Sequence, residues 1–157
     1  MMKKLLLTLL LVCLVLPVAS LPVYATTPTE VSGTFTYGFD CDAPEPLGVN
    51  LFLHCTDNET WTGPLEGTAT TEYWLIWNTR SEVMVFSSKG EFDGSVLGSG
   101  PGVAEFQLTG ILKAGAEEWQ GTWWMGQGSE GLENVHGEGT WDGLGVFEYE
   151  GLVHFDP

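Results

Sequence analysis

The sequence predicts an all-β protein built as a single eight-stranded antiparallel β-barrel. Hydrophobic residues alternate with polar ones with a period of two, in about eight segments separated by turn residues. No long segment combines helical periodicity with helix caps. Short, regular strands without helices are typical of sandwiches and barrels. We favour the barrel because a closed sheet leaves no edge strand exposed.

The first 25 residues have the features of a secretory signal peptide. Two lysines precede an apolar run of 12 residues, which is shorter than the ~17–25 residues of a membrane-spanning helix. Small residues at the −3 and −1 positions predict cleavage after Ala25. We therefore expect one mature domain, residues 26–157, in a secreted, periplasmic or other extracytoplasmic location. Membrane contact is expected only through the signal peptide before cleavage.

Acidic residues greatly outnumber basic ones. The chain has 21 Asp and Glu against 5 Lys and Arg, a formal net charge of −16. Removing the two lysines of the signal peptide leaves three basic residues against the same 21 acidic ones, a charge of −18. Such a surface repels phosphate backbones, so no nucleic-acid partner is expected. The hydrophobic content of 43% excludes a disordered chain.

Two cysteines remain in the predicted mature chain. Exported proteins usually oxidise such a pair, and closing a loop of this length is worth ~3 kcal/mol in the chain-entropy account. A metal site built from Asp40, Cys41, Asp42, His54 and Cys55 is the alternative. Two cysteines without paired Cys-x-x-Cys spacing are weak support for zinc. We predict a Cys41–Cys55 disulfide, with no metal and no cofactor.

Charged residues indicate which face of each strand meets water. In the segment 65–77, Glu66 and Glu72 share one parity, so Tyr73 and Trp77 should point inward. The same reasoning applied to the other strands predicts an aromatic interior. The candidate ligand-binding residues that line it are Phe35, Tyr37, Tyr73, Trp77, Phe86, Phe106, Tyr149 and Phe155.

Turn signals set the predicted ends of several strands. Asp57-Asn58 is expected to turn the chain after a strand that ends at Cys55, and Asp93-Gly94 is a second turn signal. With these boundaries the well-patterned strands place no carboxylate pair and no histidine inside. General acid–base catalysis needs a positioned titratable group, so no catalytic residue is assigned.

A glycine-rich segment matches the dinucleotide-binding pattern G-x-G-x-x-G over residues 126–131. The match is weak because no strand–helix context surrounds it, and Glu130 and Glu133 would oppose a pyrophosphate. These glycines are expected to serve turns, bulges and close strand contacts instead.

Three segments together resemble a known family. These are Trp61 to Glu72 (WTGPLEGTATTE), the run GQGSEGLENVHGEG from Gly126 to Gly139, and Phe92-Asp-Gly followed by Phe106-Gln-Leu-Thr-Gly. Their order and spacing, over roughly residues 31–155, resemble an uncharacterised, mostly bacterial family of allene-oxide-cyclase-like barrels; dirigent proteins carry a related glycine-rich segment. The resemblance implies an eight-stranded antiparallel barrel with a largely apolar cavity. Plant allene oxide cyclases act mainly by confining an unstable epoxide.

These observations predict an exported barrel that binds a small hydrophobic molecule, oriented by the hydroxyl groups of Tyr37, Tyr73 or Tyr149. A confinement-type cyclase or isomerase is one alternative. Another is a carbohydrate-binding module that uses exposed tryptophans, with Trp74 and Trp124 as candidates. The composition is equally compatible with a filled core that has no ligand.

Overall fold

The computed structural model describes residues 27–157, which form one antiparallel sheet of nine strands. The predicted signal peptide and its cleavage site lie outside the described residues. Within residues 27–157 the one helical element is a 3-10 turn, Glu130–Leu132, and no helix is long and apolar enough to span a membrane. The strands are β1 (Thr29–Cys41), β2 (Glu45–Leu47), β3 (Asn50–Thr62), β4 (Leu65–Asn78), β5 (Val83–Val96), β6 (Gly102–Leu112), β7 (Trp119–Gly126), β8 (Val135–Leu144) and β9 (Val146–Phe155).

Eight of these strands close into a barrel. Consecutive strands from β3 to β9 pair antiparallel, and β1 completes the circle by pairing with β9 on one side and β3 on the other. Phe35 marks this closure, because it lies opposite Phe147 of β9 and opposite Trp61 of β3. The short strand β2 only extends the sheet beside the start of β3. The predicted eight-stranded antiparallel barrel is confirmed.

The alternation that predicted the two faces of the strands is also observed. In β9, Phe147, Tyr149 and Val153 are buried, whereas Glu148 and Glu150 are exposed. Successive side chains of a strand point to opposite faces, so one parity fills the barrel and the other meets solvent. Burial of the inward-facing apolar side chains inside the closed sheet is the main contribution to the stability of this fold.

The turn predicted at Asp57-Asn58 is wrong. These residues lie within β3, where Asp57 is opposite Thr71 of β4 and Asn58 is opposite Gly38 of β1. Asp and Asn disfavour strands only weakly, and pairing on both sides of β3 outweighs that preference. The correction matters for the site, because it continues the inward–outward alternation of β3 through Asp57.

The turn predicted at Asp93-Gly94 is wrong for a related reason. Gly94 lies within β5 and pairs with Gly67 of β4 and Gly102 of β6. A Cβ atom at Gly94 would lie 2.3 Å from the backbone oxygen of Glu66, so glycine here permits close contact between strands rather than a reversal. The chain reverses after β5, at Leu97 and Gly98, which both have positive φ.

One end of the barrel is filled by its own side chains. The backbone N–H groups of Ser129 and Gly131 donate to the carbonyl oxygens of Val103 (2.8 Å) and Pro101 (3.0 Å), which fastens the 3-10 turn across this end. We call it the plugged end. Its fully buried side chains are Leu65, Val96, Met125, Leu132, Val135 and Val153.

The other end carries the Cys41–Cys55 disulfide, as predicted, and we call it the disulfide end. Cys41 and Cys55 are direct partners in the pairing of β1 with β3, with Cα atoms 4.0 Å apart. This pairing is the one that closes the barrel, so the bond holds the closing strands together. A disulfide fits an extracytoplasmic protein.

Candidate functional site

A cavity of about 260 Å³ opens at the disulfide end of the barrel. Its volume lies between the ~150 Å³ void that admits benzene and the ~300–1,000 Å³ of most ligand pockets, so it suits a compact molecule with one or two rings. All eight strands of the barrel contribute to its lining. The lining residues are Phe35, Tyr37, Phe39, Asp57, Tyr73, Leu75, Met84, Phe86, Leu108, Trp119, Trp141 and Phe147.

Stacked and edge-on rings form the walls of this cavity. The ring centroid of Phe86 lies 4.7 Å from that of Tyr73, 5.5 Å from that of Trp119 and 5.7 Å from that of Trp141. Gly110 makes room for these rings, since a Cβ atom there would lie 2.3 Å from Phe86 and 2.8 Å from Trp141. The wall is therefore built from aromatic contacts that belong to the packing of the barrel itself.

Half of the predicted lining residues face the cavity. Phe106 and Tyr149 are buried in the packed core instead, and Trp77 and Phe155 are half-buried outside the cavity. The Tyr149 hydroxyl accepts a hydrogen bond from the backbone N–H of Leu65 (3.1 Å) and donates one to the carbonyl oxygen of Thr62 (3.2 Å), which occupies it in the fold. The four that line the cavity are Phe35, Tyr37, Tyr73 and Phe86.

Several lining residues were not selected from the sequence. The alternation along the strands places four of them on the inward face, namely Leu75, Met84, Leu108 and Phe147. It does not tell which inward-facing residues lie beside a void and which lie in the packed core. Asp57 was missed for a different reason, namely the incorrect turn in β3. The position of a residue along the barrel axis depends on how its strand is aligned with the neighbouring strands. The sequence of one strand does not show that alignment.

Two carboxyl groups lie inside the barrel, which corrects the expectation of an interior without a carboxylate pair. Cys55, Asp57, Glu59 and Trp61 alternate along β3 and are all buried, with Asp57 8% exposed and Glu59 1% exposed. Asp57 lines the cavity, whereas Glu59 lies two residues further toward the plugged end. The inward-facing residues of β3 therefore include acidic as well as apolar side chains.

Burial makes both carboxyl groups hard to ionise. Loss of hydration raises the pKa of Asp57 from 3.8 to about 6, although the backbone amides of Asn58 and Gly38 oppose this rise. Burial also raises the pKa of Glu59 from 4.5 to about 8, and the charge of Asp57 adds to the effect. At neutral pH, Asp57 is mostly ionised and Glu59 mostly protonated. Burial and the nearby Asp57 also raise the pKa of Tyr73.

Around these carboxyl groups lies a patch of buried polar atoms that we call the polar floor. It consists of Asp57, Glu59, Thr71 and Ser88, which come from the adjacent strands β3, β4 and β5. One side-chain oxygen of each residue has no hydrogen-bond partner among the described residues. Buried polar atoms in folded proteins are almost always hydrogen-bonded, so the polar floor indicates a place for ordered water or for a polar group of a ligand.

Asp57 and Glu59 are the acidic residues of the polar floor, and its other two members carry hydroxyl groups. Within residues 27–157, no group of three or more His, Cys, Asp and Glu side chains could hold a metal ion. The histidines lie elsewhere: His54 contacts Asp42 at 3.2 Å, and His136 and His154 both contact Asp156, at 3.2 and 3.5 Å. The two carboxyl and two hydroxyl groups of the polar floor can donate and accept hydrogen bonds.

A second hollow is a shallow groove on the outer face of β1, β9, β8 and β7. Glu30, Glu138 and Glu150 line it beside the half-buried Trp124, and it is open along its length. Trp74, which is 47% exposed, lies on a different part of the surface, in β4. The two tryptophans suggested as a sugar platform are thus not brought together by the fold.

The barrel is similar to a solved structure. A protein of unknown function from the DUF3224 family of Shewanella oneidensis MR-1, known from its crystal structure, matches with a TM-score of 0.71 and 18% sequence identity. The match covers 83% of this chain and 99% of the other, and at this identity it shows a shared fold alone. No protein-family profile and no curated protein matches the sequence. The allene-oxide-cyclase-like relationship stays a prediction.

Proposed function

We propose that this protein binds a small hydrophobic molecule in the cavity at the disulfide end. The observation that carries the proposal is an aromatic cavity to which all eight strands contribute, with Asp57 of the polar floor in its lining. Ligand sites are typically concave, mainly apolar and supplied with a few polar groups that orient the ligand. Because the walls stand on paired strands, the cavity needs little rearrangement to admit a ligand.

Two alternatives from the sequence stay predictions. A confinement-type cyclase or isomerase would use the same cavity, and the buried carboxyl groups Asp57 and Glu59 could move a proton there. A carbohydrate-binding module would use the outer surface at Trp74 or Trp124. A substitution that fills the cavity should abolish binding inside the barrel and leave binding on the outer surface unchanged, which distinguishes the two sites.

The test is isothermal titration calorimetry with 2-phenylethanol, 2-phenylethylamine and 2-naphthol. We expect saturable binding of at least one of these compounds to the wild type, and its loss in Leu75→Trp, where a larger side chain fills the cavity. The matched control is Val85→Trp, because Val85 belongs to the neighbouring strand β5 and is exposed on the outside of the barrel. The proposal fails if none of the three compounds binds saturably, or if Leu75→Trp binds as well as the control.

A further inference from the structure

The carboxyl group of Asp57, which lines the cavity, has no positively charged partner among residues 27–157. The cationic side chains among residues 27–157 are Arg80, Lys89 and Lys113, and all three are exposed on the surface. The three ion pairs in this part of the chain involve histidines with Asp42 or Asp156, and none of them includes Asp57. Buried charges in proteins are normally paired, so Asp57 lacks a cation that a bound molecule could supply.

Asp57 is the residue of the polar floor that a ligand can meet directly, because it lines the cavity whereas Glu59, Thr71 and Ser88 do not. Asp57 lines the cavity and has one carboxyl oxygen without a partner. Behind it, one oxygen of Glu59 accepts the Trp61 indole N–H at 2.8 Å, so the proton of this mostly protonated carboxyl group lies on its other, unpartnered oxygen. The hydroxyl oxygens of Thr71 and Ser88 are also unpartnered, but these two residues lie outside the lining of the cavity. An ammonium group carries a positive charge and three N–H donors, which complements the ionised carboxylate of Asp57.

The walls of the cavity favour the same kind of group. The rings of Tyr73, Phe86, Trp119 and Trp141 surround the space above Asp57. Faces of aromatic rings attract cations, most strongly where water is excluded. A carboxylate or phosphate would instead meet the charge of Asp57 with no lysine or arginine in the lining.

We propose that the cavity selects a compact hydrophobic amine, whose ammonium group binds Asp57 at the polar floor while its apolar body lies among the aromatic rings. This inference rests on the proposed function and names the chemical class of its ligand. The small volume of about 260 Å³ limits that body to one or two rings. The acidic surface of the protein, with a net charge of −16, also attracts cations toward the barrel.

Three compounds that carry the same phenyl group on a short chain and differ in charge test the proposal on the full protein at pH 7.5. These are 2-phenylethylamine, which is a cation, 2-phenylethanol, which is neutral, and 3-phenylpropanoate, which is an anion. We expect the wild type to bind the amine at least tenfold more tightly than the alcohol, and the alcohol more tightly than the anion. Asp57→Asn keeps the shape of the side chain and should abolish the preference for the amine. Asp93→Asn, on the exposed face of β5, should keep it.

Acidification provides a second readout that does not need a variant. The titratable groups that interact with Asp57 are Glu59 on its own strand and Tyr73 on β4, and Tyr37 on β1 lines the same cavity. Protonation of Asp57 should weaken binding of the amine about tenfold between pH 7.5 and pH 5, given its pKa of about 6, and should leave the alcohol unaffected.

The outcomes separate this inference from the proposed function. If the alcohol binds as tightly as the amine, or if Asp57→Asn keeps the preference for the amine, the inference is wrong and the binding cavity stands. Amine affinity that is unchanged at pH 5 also contradicts the inference. If none of the three compounds binds and 2-naphthol does not bind either, the proposed function itself is wrong.

Discussion

Replacing Glu59 by glutamine should make the stability of this protein less dependent on pH. Glu59 is almost completely buried, and its pKa rises from 4.5 to about 8 on folding. The folded state therefore holds this proton more tightly than the unfolded state. As a result, the free energy of unfolding should fall as pH rises from 4.5 to 8, and it should be constant above pH 8. A pKa difference of this size corresponds to a loss in the free energy of unfolding on the order of 5 kcal/mol over this pH range.

The glutamine variant isolates this contribution. Glutamine keeps the shape of the side chain and an oxygen that can accept the Trp61 indole N–H, but it does not titrate. Urea unfolding of both proteins at pH 5.5 and pH 8 should show the variant gaining about 3 kcal/mol on the wild type between the two conditions. Glu72→Gln, on the exposed face of β4, is the matched control and should show no comparable gain. If the difference in free energy of unfolding between wild type and Glu59→Gln stays constant with pH, Glu59 does not take up a proton on folding in this pH range.

Two further predictions concern the structure around the cavity. Tyr149→Phe removes the hydrogen bonds to the Leu65 N–H and the Thr62 carbonyl, and it should lower the free energy of unfolding by ~1–3 kcal/mol in urea titrations; an unchanged midpoint would contradict the assigned contacts. Replacing Cys41 and Cys55 together by alanine should cost about 3 kcal/mol, measured by urea unfolding under non-reducing conditions. If reducing agent lowers the midpoint of this double variant as much as that of the wild type, the disulfide is not the cause.

Strand content and the facing of side chains follow from local pattern. In β9 the glutamates at 148 and 150 identified the outer face from the sequence alone, and the structure agrees. The disulfide was also predictable, because the signal-peptide pattern predicts export, and a pair of cysteines is usually oxidised in exported proteins. These features depend on neighbouring residues or on composition, which a sequence displays directly.

The site depends on relationships that a sequence does not display. The inward direction of Asp57 required knowing that β3 continues through an Asp-Asn pair, and that continuation comes from pairing with β1 and β4 on either side. The parity rule also assumed that carboxylates always face water, whereas Glu59 is 1% exposed. Parity placed Phe106 and Phe86 inside equally well, yet only Phe86 lines the cavity. The register between strands that are distant in sequence decides whether an inward-facing residue lies in the packed core or beside the cavity.

The most direct test of the account is a crystal structure of the protein grown with 2-phenylethylamine. We predict density for the amine in the cavity at the disulfide end, with its nitrogen within hydrogen-bonding distance of the free carboxyl oxygen of Asp57 and its ring beside Phe86. The account is contradicted if the amine occupies only the outer groove beside Trp124, or if side chains fill the cavity and Asp57 points to solvent.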